Sequence, residues 1–316
     1  MSRRVLLTFA VILLLVGACD SQDEGEGVDQ VAPPTRLVLW NEDEIAVLED
    51  EAITELGATG AVSQVTASHG GGLVWTSLET APPTVKATID TGERIELDTT
   101  TVPFFYSWNP TGSHIAFLGN SASGTGLVFG LIDVDAGEVT PIETPAPFFF
   151  DWSPDGDRLI AHIGGTSLAI IDADTGEAED LGLESGPFPA PIWTDAGIVV
   201  VTRLGPTVGA GIRSVAYQQA RSEIVLVDPV TRAQTELASV DGPVRLFAGN
   251  ARLAVVAGQV GSQTIEVLDR NGGTLATLGS GTIDLAQWSP DGATLLWTER
   301  AEDRTLTPKA WSGGEP

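Results

Sequence analysis

The feature that most constrains the fold of this chain is a repeated motif. Each copy has an apolar or aromatic run, a Trp in the clean copies, a turn rich in Pro and Gly, and a second apolar run. Three copies are clean: residues 104–112 (FFYSWNPTG), 148–156 (FFFDWSPDG) and 286–292 (AQWSPDG). Three decayed copies lie at residues 192–197, 246–250 and 67–71. Such self-similarity is typical of repeat architectures, in which each unit packs against its neighbours.

A second motif follows each of the first five copies along the chain. It is an apolar strand that ends in Asp, then a short turn and a further strand. The aspartates are Asp90, Asp133, Asp172, Asp228 and Asp269, with successive spacings of 43, 39, 56 and 41 residues. Each repeat of about forty residues therefore contains four short strands, which we call A to D, and four-stranded repeats of this length are typical of propeller blades.

The residues of the clean A–B turns have structural roles that follow from their chemistry. Pro presets φ near about −65°, Asp caps the turn through its carboxylate, and Gly accepts the left-handed conformation. The indole of each Trp is expected to form a flat wedge between neighbouring blades. The residues assigned to these turns are Trp108, Pro110, Gly112, Trp152, Pro154, Asp155, Gly156, Trp288, Pro290, Asp291 and Gly292.

The clean copies resemble the repeat of TolB-type β-propellers, which is similar to the WD repeat but lacks its Gly-His and Trp-Asp signature. The resemblance covers roughly residues 60–300. It implies an all-β propeller, and the count of six A–B motifs predicts six four-stranded antiparallel blades. Strand-like runs within residues 36–56 lack an A–B motif, so we expect them to complete the last blade and remove an open sheet edge. A seven-bladed propeller is the alternative.

The N-terminus has the layout of an export signal. Arg3 and Arg4 precede an uncharged apolar run at residues 5–16, which is short for a spanning helix. Residues 16–19 (VGAC) resemble a bacterial lipobox, which implies that Cys19, the only cysteine, carries lipid such as palmitate. The expected organisation is a lipoprotein signal peptide at residues 1–18, a disordered acidic tether at 19–34 and one propeller domain at 35–316.

The charge of the chain excludes some partners. The formal net charge is −27, and the only lysines are Lys86 and Lys309. Nucleic-acid binding needs clustered Lys and Arg, so it is not expected. An anionic membrane surface also repels such a chain, so the lipid on Cys19 is the expected membrane contact, at the outer side of the cytoplasmic membrane in the cell envelope.

Binding is expected on the face that carries the B–C loops, because A–B and C–D turns occupy the opposite face and have structural roles. The longest B–C loop, residues 204–222, accounts for the 56-residue spacing. It concentrates positive and hydrogen-bonding groups, so it is the candidate binding loop, although a tolerated surface insertion is the alternative. The candidate residues are Arg213, Tyr217, Gln218, Gln219 and Arg221.

The sequence shows no catalytic constellation, metal site or cofactor motif. Residues 69–72 (HGGG) lack the Gly-x-Ser-x-Gly elbow that a hydrolase would require. Asp172 and Asp174 resemble the start of a calcium loop, but Leu183 occupies the position of the bidentate Glu. We therefore expect a non-catalytic module that binds an envelope or extracellular protein. An extracytoplasmic hydrolase or lyase and a sensor of a small molecule or glycan are the alternatives.

We predict that Cys19→Ser releases the protein from the membrane, because the sulfur is the proposed lipid attachment point. Membrane fractionation and metabolic labelling with a palmitate analogue measure this directly. Unchanged membrane association of Cys19→Ser would contradict the predicted lipid anchor.

Overall fold

The computed structural model describes residues 10–14, 36–40, 44–49, 52–55, 62–68, 72–78, 84–88, 94–98, 101–121, 126–142, 147–164, 166–185, 190–204, 221–249, 251–289 and 292–313. Every regular element in this part of the chain is a β-strand, so the all-β prediction is confirmed. Within it, no helix is present that would be long and apolar enough to span a membrane. Two compact units are present: residues 1–146 with 173–177, and residues 147–172 with 178–316.

The first unit contains three sheets, each with four strands in meander order and antiparallel pairing. Sheet 1 consists of β1 Ala10–Leu14, β2 Arg36–Trp40, β3 Ile45–Glu49 and β4 Ala52–Glu55. Sheet 2 consists of β5 Val62–Ala67, β6 Leu73–Ser77, β7 Thr84–Thr88 and β8 Arg94–Asp98. Sheet 3 consists of β9 Thr101–Trp108, β10 His114–Ser121, β11 Leu127–Asp133 and β12 Glu138–Ile142.

The second unit contains two further four-stranded sheets and one sheet of six strands. Sheet 4 consists of β13 Pro147–Trp152, β14 Arg158–Ile163, β15 Ser167–Asp172 and β16 Ala178–Glu184. Sheet 5 consists of β17 Ile192–Thr194, β18 Gly197–Leu204, β19 Arg221–Val227 and β20 Gln234–Asp241. Sheet 6 consists of β21 Val244–Gly249, β22 Arg252–Ala257, β23 Gln263–Asp269, β24 Thr274–Trp288, β25 Leu295–Arg300 and β26 Leu306–Trp311.

Sheet 6 contains two repeats that are joined through β24. This strand pairs with β23 up to Gly281 and with β25 from Thr282 onward. Gly279 and Gly281 have φ values of +66° and +123°, a conformation that suits glycine and lets the strand bend between its two pairings. We call residues 244–281 the first half of sheet 6 and residues 282–311 its second half.

The predicted closure of the last blade by the N-terminal strands is wrong. β2 pairs with β1 and β3, and β3 pairs with β4, so residues 36–55 belong to sheet 1 rather than to the sheet of β25 and β26. The strand character of residues 36–56 was predicted correctly, but the missing A–B motif did not identify their partners. β1 lies inside the apolar run of the predicted export signal.

Hydrophobic side chains pack between consecutive sheets within each unit. One cluster joins Val74 of sheet 2 to Phe117 of sheet 3, and another joins Ile160 of sheet 4 to Val200 of sheet 5. Two more clusters join sheet 5 to the first half of sheet 6 and the two halves of sheet 6 to each other. The second strands are buried on both faces, as in β14 and β22, so their sequences are almost continuously apolar.

Two tryptophans at the ends of A strands connect consecutive repeats by hydrogen bonds. The indole Nε1 of Trp288 donates to the carbonyl of Phe247 at 2.9 Å, and Nε1 of Trp108 donates to the carbonyl of Thr66 at 3.3 Å. Both bonds reach the A strand of the preceding repeat, 41 and 42 residues earlier in the chain. A Cβ on Gly249 would lie 2.5 Å from the Trp288 ring, so this ring also packs directly on the backbone of its neighbour.

We predict that Trp288→Phe lowers the free energy of unfolding by about 1 kcal/mol more than Trp297→Phe does, as measured by denaturant unfolding. Both residues are buried in the same cluster, so the loss of ring volume is matched. Trp288→Phe removes a bond between the two halves of sheet 6, whereas Nε1 of Trp297 bonds to Glu299 on its own strand. An equal or larger loss for Trp297→Phe would contradict this role of Trp288.

Candidate ligand-binding face

Each four-stranded repeat has two ends with different connections. The pairing of Trp108 with Ile115 and of His114 with Asp133 places the A–B turn and the C–D turn of sheet 3 at the same end. Antiparallel pairing in the other sheets has the same consequence. The B–C loops and the connections between sheets lie at the opposite end.

The A–B turns are closed by their own hydrogen bonds. In sheet 4, Gly156 N donates to the carbonyl of Ser153 at 2.9 Å, and Arg158 N donates to Ser153 Oγ at 3.0 Å. Ser153 Oγ donates in turn to the Asp155 carboxylate, which lowers the pKa of Asp155. Asn109 and Ser289 close the equivalent turns of sheets 3 and 6.

The structure places most of the assigned turn residues in these hairpins. Gly112, Gly156 and Gly292 have φ values of +77°, +81° and +65°, the left-handed conformation that such turns require. Trp152 and Trp288 are buried, whereas Pro110 and Pro154 are exposed. Pro290 and Asp291 lie outside the described residues.

Asp151 links sheet 4 to sheet 5 beside the A–B turn. Its Oδ1 accepts from Trp152 N at 3.1 Å, and its Oδ2 accepts from Trp193 N at 2.8 Å. Burial raises the pKa of Asp151 to about 6, and the two hydrogen bonds offset only part of that effect. The Arg158 guanidinium stacks over the Trp193 ring, with Cζ 5.1 Å from its centroid.

We predict that the stability of the wild type falls relative to that of Asp151→Asn as the pH rises from 4 to 7. The folded pKa of about 6 exceeds the ordinary value of 3.8, so the folded state holds a proton that the unfolded state has lost. The free energy of unfolding of the wild type therefore falls steadily over this pH range, by up to about 2–3 kcal/mol. Denaturant unfolding at several pH values measures the difference, with Asp157→Asn as the control. A difference that is independent of pH would contradict it.

Ser113, His114 and Asp174 form a chain of contacts whose residue types match a hydrolase triad. Ser113 Oγ lies 3.0 Å from His114 Nδ1, and His114 Nε2 lies 3.3 Å from Asp174 Oδ1. The N–H groups of Gly112 and His114 both donate to Asn109, so neither is available to stabilise an oxyanion. Ser113 Oγ also accepts from the Asn109 side chain. We interpret the contacts of Ser113, His114 and Asp174 as stabilising the A–B turn of sheet 3.

The turn that resembles the start of a calcium loop contains Asp172 and Asp174. The Asp174 side chain is 84% exposed and pairs with His114. In the part of the chain that the structure describes, no three His, Cys, Asp or Glu side chains are grouped closely enough to hold a metal ion.

Most of the candidate binding loop lies outside the described residues. Arg213, Tyr217, Gln218 and Gln219 lie outside the described residues, as do Cys19 and His69. Arg221 is exposed at the start of β19, where its Nε donates to Ser239 Oγ. The next residue, Ser222, donates to the carbonyl of Gly242 at 2.8 Å. The end of the loop is thereby fixed to the segment that leads into β21.

A cleft opens at the B–C end of sheet 6, between its two halves. Its volume is about 430 Å³, within the usual range for ligand pockets. The lining residues are Pro243, Val244, Arg245, Val256, Val260, Gln263, Thr282, Ile283, Asp284 and Arg300. We call this feature the Arg245 cleft.

Two guanidinium groups and one carboxylate give the Arg245 cleft its charge. Arg300 donates to both carboxylate oxygens of Asp284. Its Nε lies 2.6 Å from Asp284 Oδ2, and its Nη2 donates to Oδ1. This bond raises the pKa of Arg300. Arg245 donates instead to the main-chain carbonyls of Ile283 and Asp284, and burial lowers its pKa. The three side chains together carry one net positive charge in a chain of formal charge −27.

Arg245, Asp284 and Arg300 were not predicted as binding residues from the sequence. They lie at the end of the repeat where binding was expected, but outside the long insertion at residues 204–222. Arginines at the B–C ends of otherwise apolar strands in a chain with only two lysines are the signal that would have found them.

No protein-family model matches the chain, and no curated protein matches it significantly. The chain is similar to the β-propeller domain of the trilobed protease from Pyrococcus furiosus. The match spans 80% of this chain and 83% of that domain, at 14% identity and a TM-score of 0.56. The match to the Swd1 β-propeller domain from Myceliophteria thermophila spans 88% of this chain and 92% of that domain, at 13% identity and a TM-score of 0.52. The match to TolB from Acinetobacter baumannii spans 78% of this chain and 61% of TolB, at 14% identity and a TM-score of 0.40.

The two superpositions with TM-scores above 0.5 show that the chain has a β-propeller fold. This class agrees with the meander sheets, with the packing of consecutive sheets within each unit and with the repeat length. At such low identity the likeness concerns the fold alone, because one fold supports many functions.

Proposed function

We propose that this protein is an exported, lipid-anchored β-propeller that binds a protein partner at the B–C end of its blades. The Cys19 lipid tethers it to the outer side of the cytoplasmic membrane, and the acidic segment at residues 19–34 holds the propeller away from the surface. Its repeat belongs, on this proposal, to the TolB-type class. The propeller acts by binding rather than by catalysis.

The difference between the two ends of the sheets supports this proposal most strongly. The A–B turns use their polar groups internally, as Ser153 and Asn109 do. The B–C end carries exposed Arg221, the longest insertion and the Arg245 cleft. Rigid scaffolds commonly carry their binding residues on variable loops at one end.

We infer seven blades from the pairing of the strands. Six A–B hairpins occur in sheets 2 to 5 and in the two halves of sheet 6, and sheet 1 adds a seventh set of strands. Cleavage before Cys19 would remove β1 and leave β2 at a sheet edge.

A small-molecule or glycan sensor is the second candidate function. The volume of the Arg245 cleft, about 430 Å³, favours it because a ligand of modest size would fit there.

We predict that a variant with residues 205–220 replaced by a short Gly-Ser linker loses its protein partner. Affinity capture of the tagged full-length chain after cross-linking in intact cells identifies partners of the wild type. Recovery of the relevant partner should fall at least roughly tenfold, since central contacts dominate binding energy. Replacement of residues 122–125, a B–C loop in the other unit, is the matched control. Equal recovery from both variants would contradict the proposed role of the long loop.

A further inference from the structure

The guanidinium of Arg245 is held in place without a carboxylate of its own. Two of its nitrogens donate to main-chain carbonyls, those of Ile283 and Asp284, and the second of these bonds measures 2.9 Å. Its Cζ also lies 5.9 Å from the centroid of the Phe247 ring. Carbonyl oxygens orient the group but carry no net charge, so the positive charge of Arg245 is not neutralised by these contacts.

The charge of Asp284 acts on Arg245 and offsets part of the effect of burial on the Arg245 pKa, but the Asp284 carboxylate is hydrogen-bonded to Arg300. The guanidinium of Arg300 contacts both carboxylate oxygens of Asp284, which is the bidentate geometry of a strong pair. An incoming anion therefore meets a fixed guanidinium at Arg245 and does not need to displace Asp284 from a pair with it.

The walls of the Arg245 cleft add a polar donor and an apolar surface. Gln263 Oε1 accepts from Ile283 N at 3.0 Å, which leaves its Nε2 group as a donor for a ligand. Val244 and Ile283 are buried in the wall, whereas Val260 is 81% exposed at the rim. An anion with an adjoining apolar group would complement this arrangement.

We propose that the Arg245 cleft binds a carboxylate that a peptide segment of the partner presents beside an apolar side chain. This inference rests on the proposed function and names the chemistry that the partner carries. Arg245 would bind the carboxylate through its remaining N–H groups, and Val260 would contact the apolar side chain. The carboxylate is either a chain terminus or an acidic side chain.

Blocked dipeptides test this proposal on the full-length chain in detergent micelles. N-acetyl-Ala-Leu with a free carboxylate and its amide probe the terminal source, and N-acetyl-Leu-Glu-amide and N-acetyl-Leu-Gln-amide probe the side-chain source. Ligand-observed NMR at constant ionic strength gives the dissociation constants. At least one acid should bind roughly tenfold more tightly than its uncharged analogue, because charge-assisted hydrogen bonds are the strong ones. The proposal would be overturned if neither acid bound more tightly than its own uncharged analogue.

Variants of the cleft identify the site. Arg245→Gln should weaken binding of the acid roughly tenfold, whereas Arg270→Gln, an exposed Arg in the C–D turn of the same sheet, should leave it within about twofold. Val260→Asp should also weaken it by like-charge repulsion without disturbing a buried contact. Its control is Val230→Asp, which is 77% exposed in a C–D turn. Unchanged binding in Arg245→Gln and Val260→Asp would place the peptide elsewhere and overturn the proposal.

The two proposals fail separately. Binding of the acidic dipeptide in the cleft together with unimpaired partner capture after replacement of residues 205–220 would contradict only the role of the loop. Loss of partner capture in that variant, with no preference for the acid in the wild type, would contradict only the carboxylate site.

Discussion

The hydrogen bond from the indole of an A-strand Trp to the preceding repeat is the interaction on which the arrangement of neighbouring repeats within each unit depends. Four-stranded sheets with apolar faces could stack in many ways, and burial of their faces alone is not directional. The bonds from Trp108 to Thr66 and from Trp288 to Phe247 have direction and span 42 and 41 residues. They fix sheet 3 on sheet 2 and the second half of sheet 6 on its first half, and Asp151 forms a similar link from sheet 4 to Trp193 of sheet 5.

This constraint separates structural from binding functions within each repeat. Trp, turn and capping residues converge at the A–B end, where their polar groups are used within the fold. The B–C end carries no such requirement, so its loops vary in length and its arginines can face a cleft. The net charge of −27 makes the guanidinium of Arg245 unusual, because acidic groups outnumber basic ones along the chain.

The sequence predicts the repeat and its hairpins well, because local chemistry determines them. Gly156 and Ser153 have the roles that turn geometry requires, and the strand runs lie where apolar periodicity places them. Pairing beyond the motif was not predictable in the same way. The run at residues 36–40 indicates a strand but not its partner, and the partner determines the sheet. The Arg245 cleft was missed because Arg245 and Asp284 lie 39 residues apart and meet only when two repeats pack.

Hydrogen exchange of the tryptophan indole N–H groups, followed by NMR, tests the role of the A-strand indoles most directly. The account predicts that Nε1–H of Trp108 and Trp288 exchanges slowly, at rates similar to those of buried backbone amides in the same sheets. Exchange of both groups as fast as that of a solvent-exposed indole would show that the sheets are not held by these bonds.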